Sequence, residues 1–380
     1  MPVTPFSLGV FCDLLEERWF SMDLLGDMLL EQAALLPGVR AERERPRLPA
    51  PLARWAEAHG SSPFGRWAYR GSIGFGRYVE YPLHLLAARR RYDCFHIADH
   101  SYGHLALGLP PDRTGIYCHD LDAYRPALEP ERHGPGSRAL ARMLLKGLQR
   151  AAVVFHSSLT VRDQILEHGL VAPERLVHAK YGVAAEFQPD ARAEDASLSG
   201  RPPFVMHVGS LIPRKNPEFL VKLLVAIGQS APDLELYQMG GTFTDAQRAE
   251  LAAGGVLERV RQFPHMKRPE LSAHLRATRA VVLPSLAEGF GLPVIEALAC
   301  GAPVVVSDIP VLAEVGGSGV VVRPTTSVPL WRDAVLDVAR GGGPSRDERL
   351  RSAAPYTWSA HARTIIDAYA ALAQRRTNGF

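Results

Sequence analysis

Two glutamates lie eight residues apart in the segment Glu288-Gly-Phe-Gly-Leu-Pro-Val-Ile-Glu296. An apolar run ends before this segment at Pro284, two glycines follow Glu288, and Pro293 stands where the first turn of a helix favours proline. The pattern predicts a strand, a loop that carries Glu288, and a helix that carries Glu296 about one turn from its start. Carboxylate oxygens accept hydrogen bonds from hydroxyl groups, so the pair could bind the hydroxyls of a sugar and of a ribose.

The backbone of the same loop suits a phosphate group. The start of a helix presents N–H groups together with the positive end of the helix dipole, and both favour anions. Gly289 and Gly291 let the backbone approach a ligand closely. Phe290 and Leu292 complete the loop. The sequence therefore predicts that these four residues bind the phosphate side of a nucleotide.

A pair of cations follows an earlier apolar run. Arg214 and Lys215 stand in the segment Val208-Gly-Ser-Leu-Ile-Pro-Arg-Lys-Asn-Pro217, between a strand-like and a helix-like stretch. A diphosphate leaving group gains negative charge as its bond to a sugar breaks, and two fixed cations stabilise that charge. Gly209 allows close approach of the backbone. We expect this segment to bind the same ligand as Glu288.

Strand-like and helix-like segments alternate along most of the chain, which predicts parallel sheets with helical crossovers and a Rossmann-like nucleotide-binding architecture. In the second half the predicted strands are Phe204–Val208, Leu234–Met239, Val260–Phe263, Ala280–Leu283, Val304–Ser307 and Val320–Val322. In the first half they are Ser7–Cys12, Tyr92–Ala98, Gly115–Cys118, Ala152–His156 and Leu176–Ala179. A polar stretch rich in proline and glycine between Gln188 and Pro203 predicts the linker between two domains.

The composition narrows the class of protein. A chain of 380 residues is too long for one ordinary core, which favours two domains. A hydrophobic content of 47% with 22% charged residues is typical of a folded globular protein. The net charge of +3 is small, and we expect no nucleic acid as a partner. The four cysteines form no C-x-x-C pair, so we expect reduced thiols and neither disulfides nor a zinc site.

The sequence lacks an apolar run of about 18 residues and the features of a signal peptide, which predicts a cytoplasmic location. Between Pro37 and Arg91, eleven arginines and four glutamates are interleaved with aromatic residues. Such a stretch suits an anionic acceptor or a peripheral contact with the inner face of a membrane. A solvated arginine-rich surface is the alternative.

The segment PSLAEGFGLPVIEALACGAPVVVSD, residues 284–308, resembles the signature of the family 4 retaining glycosyltransferases, the "glycosyltransferases group 1" type. The resemblance implies that Glu288 contacts the donor sugar and that Glu296 contacts the ribose. The segment VGSLIPRKN, residues 208–216, resembles the part of the family that binds the donor diphosphate, which implies that role for Arg214 and Lys215. It also makes Met266, in a loop after a predicted strand, a candidate contact of the base.

The first half carries the expected acceptor side. Gly115-Ile-Tyr-Cys-His-Asp resembles the family's strand that ends in His-Asp, which implies that His119 reaches the donor sugar and that Asp120 orients it. The resemblance also places Asp99 and His100 in a loop on the acceptor side. Many family members have a Gly-Gly pair in the first strand–helix loop, but the corresponding segment here has no glycine. Arg18 and Ser21 are the substitute candidates in that loop.

The resemblance implies an α/β protein with the GT-B fold, in which two Rossmann-like domains with parallel sheets face a central cleft. We place an acceptor-side domain at residues 1–195, a nucleotide-sugar donor domain at 196–358, and a helix that returns to the first domain at 359–380. The implied activity is transfer of a hexose-type sugar, with retention at the anomeric carbon, by front-side attack. The acceptor would be a hydroxyl of a glycan, a lipid-linked saccharide or a small metabolite.

We expect no essential metal or other cofactor besides the nucleotide-sugar substrate. His96, His100 and His104 recur every four residues, but a predicted strand at that place would not align them as metal ligands. Two alternatives to the transferase remain open, namely a GT-B sugar-nucleotide epimerase and a non-catalytic nucleotide-sugar-binding subunit of a glycan assembly complex. The sequence does not indicate the oligomeric state.

Overall fold

The computed structural model describes residues 5–17, 19–46, 69, 71–190, 195 and 198–377. The chain forms two compact units. The first unit comprises Met1–Tyr181 and Trp358–Phe380, and the second unit comprises Gly182–Thr357. The chain therefore leaves the first unit after Tyr181 and returns to it with its last helix.

The first unit contains a six-stranded parallel sheet of order β2-β1-β3-β4-β5-β6. Its strands are β1 (Phe6–Phe11), β2 (Val39–Glu44), β3 (Cys94–Ile97), β4 (Thr114–Cys118), β5 (Val153–His156) and β6 (Leu176–His178). Its α-helices are Phe20–Ala33, Tyr81–Ala88, Arg125–Leu128, Pro135–Arg150, Leu159–Glu167 and Trp358–Thr377. Every residue of β3, β4 and β5 is buried, as expected for a parallel sheet covered on both faces.

The second unit contains another six-stranded parallel sheet, of order β12-β11-β10-β7-β8-β9. Its strands are β7 (Phe204–Val208), β8 (Glu235–Met239), β9 (Val260–Phe263), β10 (Ala280–Leu283), β11 (Val304–Ser307) and β12 (Val321–Arg323). Its α-helices are Pro217–Ser230, Asp245–Ala253, Arg268–Ala277, Leu292–Ala299, Pro310–Gly316, Val328–Ala339 and Arg346–Ala353. A core around the buried Trp331 packs one face of this sheet.

The strand order of the second unit determines which loops meet. Strand β7 lies between β8 and β10, so the direction in which the chain adds strands reverses at β7. In parallel sheets of this kind ligands bind beyond the carboxyl ends of the strands at such a reversal. The segments that follow β7 and β10 are those that carry the cation pair and Glu288. The fold therefore brings these two segments to the same edge of the sheet.

The predicted α/β class and its two parallel sheets are confirmed. All eleven predicted strands are present within a residue or two, and β2 is an additional strand that we did not predict. All four cysteines are free and buried, as expected for reduced thiols. Among the described residues, no helix has both the length and the apolar character needed to cross a membrane.

Candidate active site

Glu288 contacts both cations of the second unit. Its Oε2 lies 2.9 Å from Nη1 of Arg214, and its Oε1 accepts a short hydrogen bond from the Lys215 ammonium. The Ser285 hydroxyl donates to Oε1 at 2.7 Å. The side chains of Glu288 and Lys215 are 7% and 9% exposed, whereas that of Arg214 is 41% exposed. One carboxylate thus pairs with two cations. Of these two, only the Arg214 guanidinium is open to solvent.

Backbone contacts fix the two segments against each other. Arg214 and Lys215 lie on the short 3-10 turn Pro213–Lys215, and the N–H of Leu286 donates to the Arg214 carbonyl at 2.8 Å. Asn216 follows with a φ of 58°. Among the described residues it is the only one other than glycine that has a positive φ. Such a conformation costs about 1 kcal/mol and is found where the surrounding structure imposes it. The cation pair therefore sits on a constrained turn rather than on a loose loop.

Burial dominates the electrostatics of Lys215. Removal from water lowers the pKa of its ammonium group, and the adjacent Glu288 carboxylate opposes that shift. A buried ammonium group without a counter-charge is costly, because the low dielectric penalises its charged form. Glu288 therefore supplies a counter-charge to this buried cation and is also a candidate ligand-binding group.

The loop after Glu288 turns into helix Leu292–Ala299 through Gly291, whose φ is 101°. A Cβ at this position would lie 2.7 Å from Cδ2 of Leu312, so glycine meets both a conformational and a steric requirement. The Phe290 side chain is buried and its ring packs edge-on against Tyr356. Gly289 and Leu292 are partly buried in the same loop. The structure thus places all four predicted loop residues at the helix start.

Glu296 lies in that helix and is half-buried. Burial raises its pKa to about 7, Glu186 contributes in the same direction, and Arg268 opposes it. Arg268 begins the helix that follows the loop carrying Met266, which is itself half-buried. Arg268 and Glu186 lie 4.0 Å apart, so a loosely paired cation and anion flank the Glu296 carboxyl.

In the first unit, His119 follows β4 and uses both of its ring nitrogens internally. Its Nε2 lies 2.7 Å from the carbonyl oxygen of Ala98, which can only accept a hydrogen bond, so Nε2 carries the proton. Its Nδ1 pairs with the hydroxyl of Tyr181. Burial lowers the pKa of His119, consistent with a neutral ring. A hydrogen bond from this ring to a sugar would have to replace one of these two contacts.

The other predicted residues of this unit surround His100. Its Nε2 lies 3.3 Å from Oδ1 of Asp120, and its Nδ1 lies 3.3 Å from Oδ1 of Asp99 and accepts the N–H of His119. Burial acts to lower the pKa of His100, but the contact with Asp120 and the charge of Asp99 outweigh it and raise that pKa. Asp99, His100, His119 and Asp120 are therefore one connected cluster at the carboxyl ends of β3 and β4.

Asp13, which the sequence analysis missed, joins this cluster from the end of β1. Burial raises the pKa of Asp13 well above its ordinary value, and the charge of Asp99 and a hydrogen bond with it add to the shift. The pKa of Asp99 is lowered instead, because His100, His119 and the N–H of Ser101 outweigh its burial. The contact with Asp99 therefore favours the protonated form of Asp13.

Two candidates, Arg18 and Ser21, belong to the first strand–helix loop. Arg18 lies outside the described residues. Ser21 lies in helix Phe20–Ala33, but its side chain also lies outside the described part of the chain. Both stay predictions of acceptor contacts. Among the residues that are described, the loop is held by Leu14, whose N–H donates to the Tyr102 hydroxyl, and by Glu17, which pairs with Arg77 at 3.1 Å.

Comparison with known proteins shows which proteins this chain is similar to. Residues 190–355 match the model of the family "Glycosyl transferases group 1". A D-inositol 3-phosphate glycosyltransferase of Mycobacteroides abscessus is 35% identical over 223 residues, which cover 54% of this chain and 49% of that relative. The match to the group 1 glycosyl transferases thus lies within the second unit. The chain spans about half the length of the curated relatives that it matches.

Solved structures agree on the fold of this chain. Sucrose-phosphate synthase of Thermosynechococcus elongatus superposes with a TM-score of 0.72 at 16% identity, covering 96% of this chain and 98% of that one. HepE of Anabaena, crystallised in complex with UDP, gives a TM-score of 0.67 at 14% identity and covers 96% and 99% of the two chains. These likenesses confirm the predicted GT-B fold, in which both units are Rossmann-like.

The family match covers the predicted donor residues but not those of the first unit. Arg214, Lys215, Glu288 and Glu296 lie within residues 190–355, whereas His119 and Asp99 do not. The described part of the chain contains no group of three or more histidine, cysteine or acidic side chains arranged to hold a metal ion. Two buried polar residues near the cation pair, His207 and Gln238, were missed because each lies inside an apolar strand and no motif marks it.

Proposed function

We propose that the chain is a retaining glycosyltransferase that moves a sugar from a nucleoside-diphosphate sugar to a hydroxyl acceptor. The observation that carries this proposal is the contact of Glu288 with two cations, Arg214 and Lys215, just before the start of helix Leu292–Ala299. Cations beside a helix start favour a phosphate, and a carboxylate in the same place favours hydroxyls. A nucleoside-diphosphate sugar carries both kinds of group.

The two cations supply the charge that the leaving group needs. Arg214 and Lys215 carry two positive charges against the single negative charge of Glu288, so the cluster has a net attraction for an anion. Negative charge builds up on the diphosphate as its bond to the sugar breaks. Cations that are already held in position stabilise this charge without a reorganisation cost at the moment of reaction.

Glu288 retains capacity to accept a hydroxyl of the donor sugar. A carboxylate offers about four lone-pair sites. Lys215 and Ser285 occupy Oε1, and Arg214 occupies one site on Oε2. The remaining site on Oε2 suits a sugar hydroxyl, and Glu296 on the following helix suits the ribose.

Retention follows from front-side attack. The bond between the anomeric carbon and the diphosphate oxygen breaks, and the acceptor oxygen bonds to the same face of that carbon. The acceptor proton passes to the departing diphosphate, so no protein nucleophile is required. Metal is not part of the proposal, which assigns the stabilisation of the diphosphate charge to Arg214 and Lys215.

The acceptor is a hydroxyl of a glycan, a lipid-linked saccharide or a small metabolite. Asp99, His100 and Asp120 are proposed to act on the acceptor side, together with Arg18 and Ser21. His119 is proposed to reach the donor sugar. The proposed division assigns residues 1–195 to the acceptor, 196–358 to the donor and 359–380 to the returning helix. A cytoplasmic location with peripheral contact at the inner face of a membrane completes the proposal.

Glu288→Gln tests the assignment. The amide keeps an acceptor for Lys215 and Ser285 but removes the negative charge. We expect sugar transfer to fall by at least about 100-fold, as when one group that stabilises the transition state is lost. The corresponding nucleoside diphosphate, which lacks the sugar, should bind at least as tightly as to the wild type, because Arg214 and Lys215 lose an internal competitor. Calorimetry with UDP, GDP, ADP and dTDP and a transfer assay measure both quantities.

Lysine variants supply the control. Lys215→Ala should lose diphosphate affinity, whereas Lys222→Ala, an exposed lysine on helix Pro217–Ser230, should not. Wild-type transfer by Glu288→Gln would refute the assigned role. A product with inverted anomeric configuration in the NMR spectrum would refute retention. Epimerised donor without transfer would favour the epimerase, and binding without turnover would favour the non-catalytic subunit.

A further inference from the structure

A buried histidine lies beside the cation pair, and none of the proposed roles uses it. His207 is the fourth residue of β7 and is completely buried, as is its partner Gln238 on β8. The two residues are opposite each other in the sheet, and Nδ1 of His207 lies 2.8 Å from Oε1 of Gln238. Burying two polar side chains between apolar strands costs free energy of desolvation, which apolar residues at the same positions would avoid.

The surroundings of Gln238 determine where the proton of His207 lies. The Nε2 group of Gln238 donates to the carbonyl oxygens of Gly209 and Met239, at 2.9 and 3.2 Å. These two contacts fix the orientation of the amide, so that its oxygen faces the histidine. An amide oxygen can only accept, so Nδ1 of His207 carries the proton. Its Nε2 therefore presents a lone pair.

That lone pair has no hydrogen-bond partner among the described residues. It faces the space beside Gly209, where a Cβ would lie 3.7 Å from Nε2 of His207 and 3.8 Å from Cε of Lys215. Gly209 has φ of 150° and places no side chain there. The acceptor and the terminal carbon of the lysine thus border the same small space.

The charge state of the ring fits an acceptor. Burial and the positive charge of Lys215 both lower the pKa of His207, whereas Gln238 and Glu288 act to raise it. The result is a pKa of about 4. The ring is therefore neutral at physiological pH. Lys215 has three N–H donors, of which Glu288 accepts one.

We propose that His207 is a positioning residue for Lys215, whose ammonium donates one N–H to Nε2 of His207 while a diphosphate occupies the site. The inference rests on the proposed function, because it takes the diphosphate as the ligand of Lys215. The three donors of the ammonium then point to Glu288, to His207 and to a phosphate oxygen. An ammonium tied at two points holds its third N–H on the phosphate with less loss of freedom on binding.

His207→Phe keeps a buried ring and removes the lone pair. We expect it to weaken binding of the nucleoside diphosphate about tenfold, the effect of one hydrogen bond to a charged group. His207→Gln restores an acceptor near the position of Nε2 and should recover most of the affinity. The probe is whichever of UDP, GDP, ADP and dTDP stabilises the wild type most against heat, and calorimetry gives its dissociation constant.

His274→Phe is the matched control. His274 is also buried in the second unit with an Nε2 that lacks a partner among the described residues, but it packs against Phe204 and Phe263 rather than Lys215. A merely structural role is separated by NMR of histidine labelled with 15N. The Nε2 signal of His207 should move upfield when the diphosphate is added, and that of His274 should not.

The outcomes distinguish this inference from the function on which it rests. Binding of none of the four diphosphates to the wild type would remove both. Tight binding to the wild type together with unchanged affinity in a folded His207→Phe variant would remove only the role of His207. An equal loss in His274→Phe, or a static Nε2 signal, would also overturn it.

Discussion

Glu288 and Glu296 have the same side chain but different surroundings. Glu288 contacts two cations and the hydroxyl of Ser285. Glu296 has no cation in such close contact among the described residues, and burial raises its pKa to about 7. Two carboxyl groups with separate environments can serve separate tasks in one site. The spacing of the glutamates predicted their location, but only the three-dimensional surroundings reveal this difference.

The raised pKa of Glu296 predicts that the affinity for a nucleoside diphosphate depends on pH. An ionised carboxylate accepts from both hydroxyls of a ribose diol, whereas the protonated form offers fewer acceptor sites. With a pKa of about 7, the ionised fraction rises from about a tenth at about pH 6 to about nine-tenths at about pH 8. We therefore expect the affinity for a nucleoside diphosphate to increase up to about tenfold over this range. Calorimetry at a series of pH values measures it.

Glu296→Gln is the control for that prediction, because an amide does not titrate. Its affinity should change much less with pH over the same range. It should also unfold at a higher temperature than the wild type above about pH 8, since ionising a carboxyl group with a raised native pKa costs stability as pH increases. An affinity in the wild type that is flat with pH would show that Glu296 does not bind the ligand in its ionised form.

At the scale of elements, most of the strands that sequence patterns predicted consist largely of buried residues, although β6, β9 and β12 are only partly buried. Strand β2, with the sequence VRAERE, was missed because charged residues dominate it. Among the described strands it pairs with β1 alone, at the edge of the first sheet, so one side remains accessible to polar side chains. Its last residue, Glu44, is nevertheless buried and bonds to the Tyr92 hydroxyl. Such a tertiary contact has no signature in the sequence.

Loop segments were predicted best where the backbone conformation restricts which residue type can occupy a position, as at Gly291. Gly291→Ala should lower the free energy of unfolding of the second unit by about 2–3 kcal/mol, because it adds the strain of a positive φ to a clash with Leu312. Gly255→Ala is the control, since Gly255 has φ of 72° but open space around a Cβ. It should cost about 1 kcal/mol. Denaturant unfolding of both variants measures the difference, and equal losses would contradict a role for the Leu312 contact.

At the scale of the whole molecule, the two parallel sheets were foreseeable, because the alternation of strands and helices is regular. The cation pair and Glu288 were also foreseeable, since their segments follow adjacent parallel strands. The connections of buried polar groups were not. Asp13 and Asp99 are 86 residues apart in the sequence, as Ser7 and Asp93 are, and only folding reveals that they meet. Sequence patterns predict which elements form, whereas contacts between them depend on side-chain packing.

The last helix, Trp358–Thr377, belongs to the core of the first unit. The Tyr369 hydroxyl donates to the carbonyl oxygen of Phe95 at 3.0 Å and lies 3.0 Å from Nδ1 of His96. Its ring is completely buried and packs on Phe155. The first unit is therefore complete only when the end of the chain has been added to it, whereas the second unit is a continuous segment with its own core around Trp331.

This arrangement predicts that the two units respond separately to core substitutions. Tyr369→Ala should destabilise the first unit by about 3–5 kcal/mol, and Trp331→Ala should destabilise the second unit by a similar amount, because each leaves a large cavity. Hydrogen exchange followed by mass spectrometry reports on each unit through its own peptides. Tyr369→Ala should raise exchange in β3 and β4 and leave β7 and β10 unchanged, and Trp331→Ala should do the reverse. Equally faster hydrogen exchange throughout the chain in either variant would show that the two units unfold together, which would contradict the prediction.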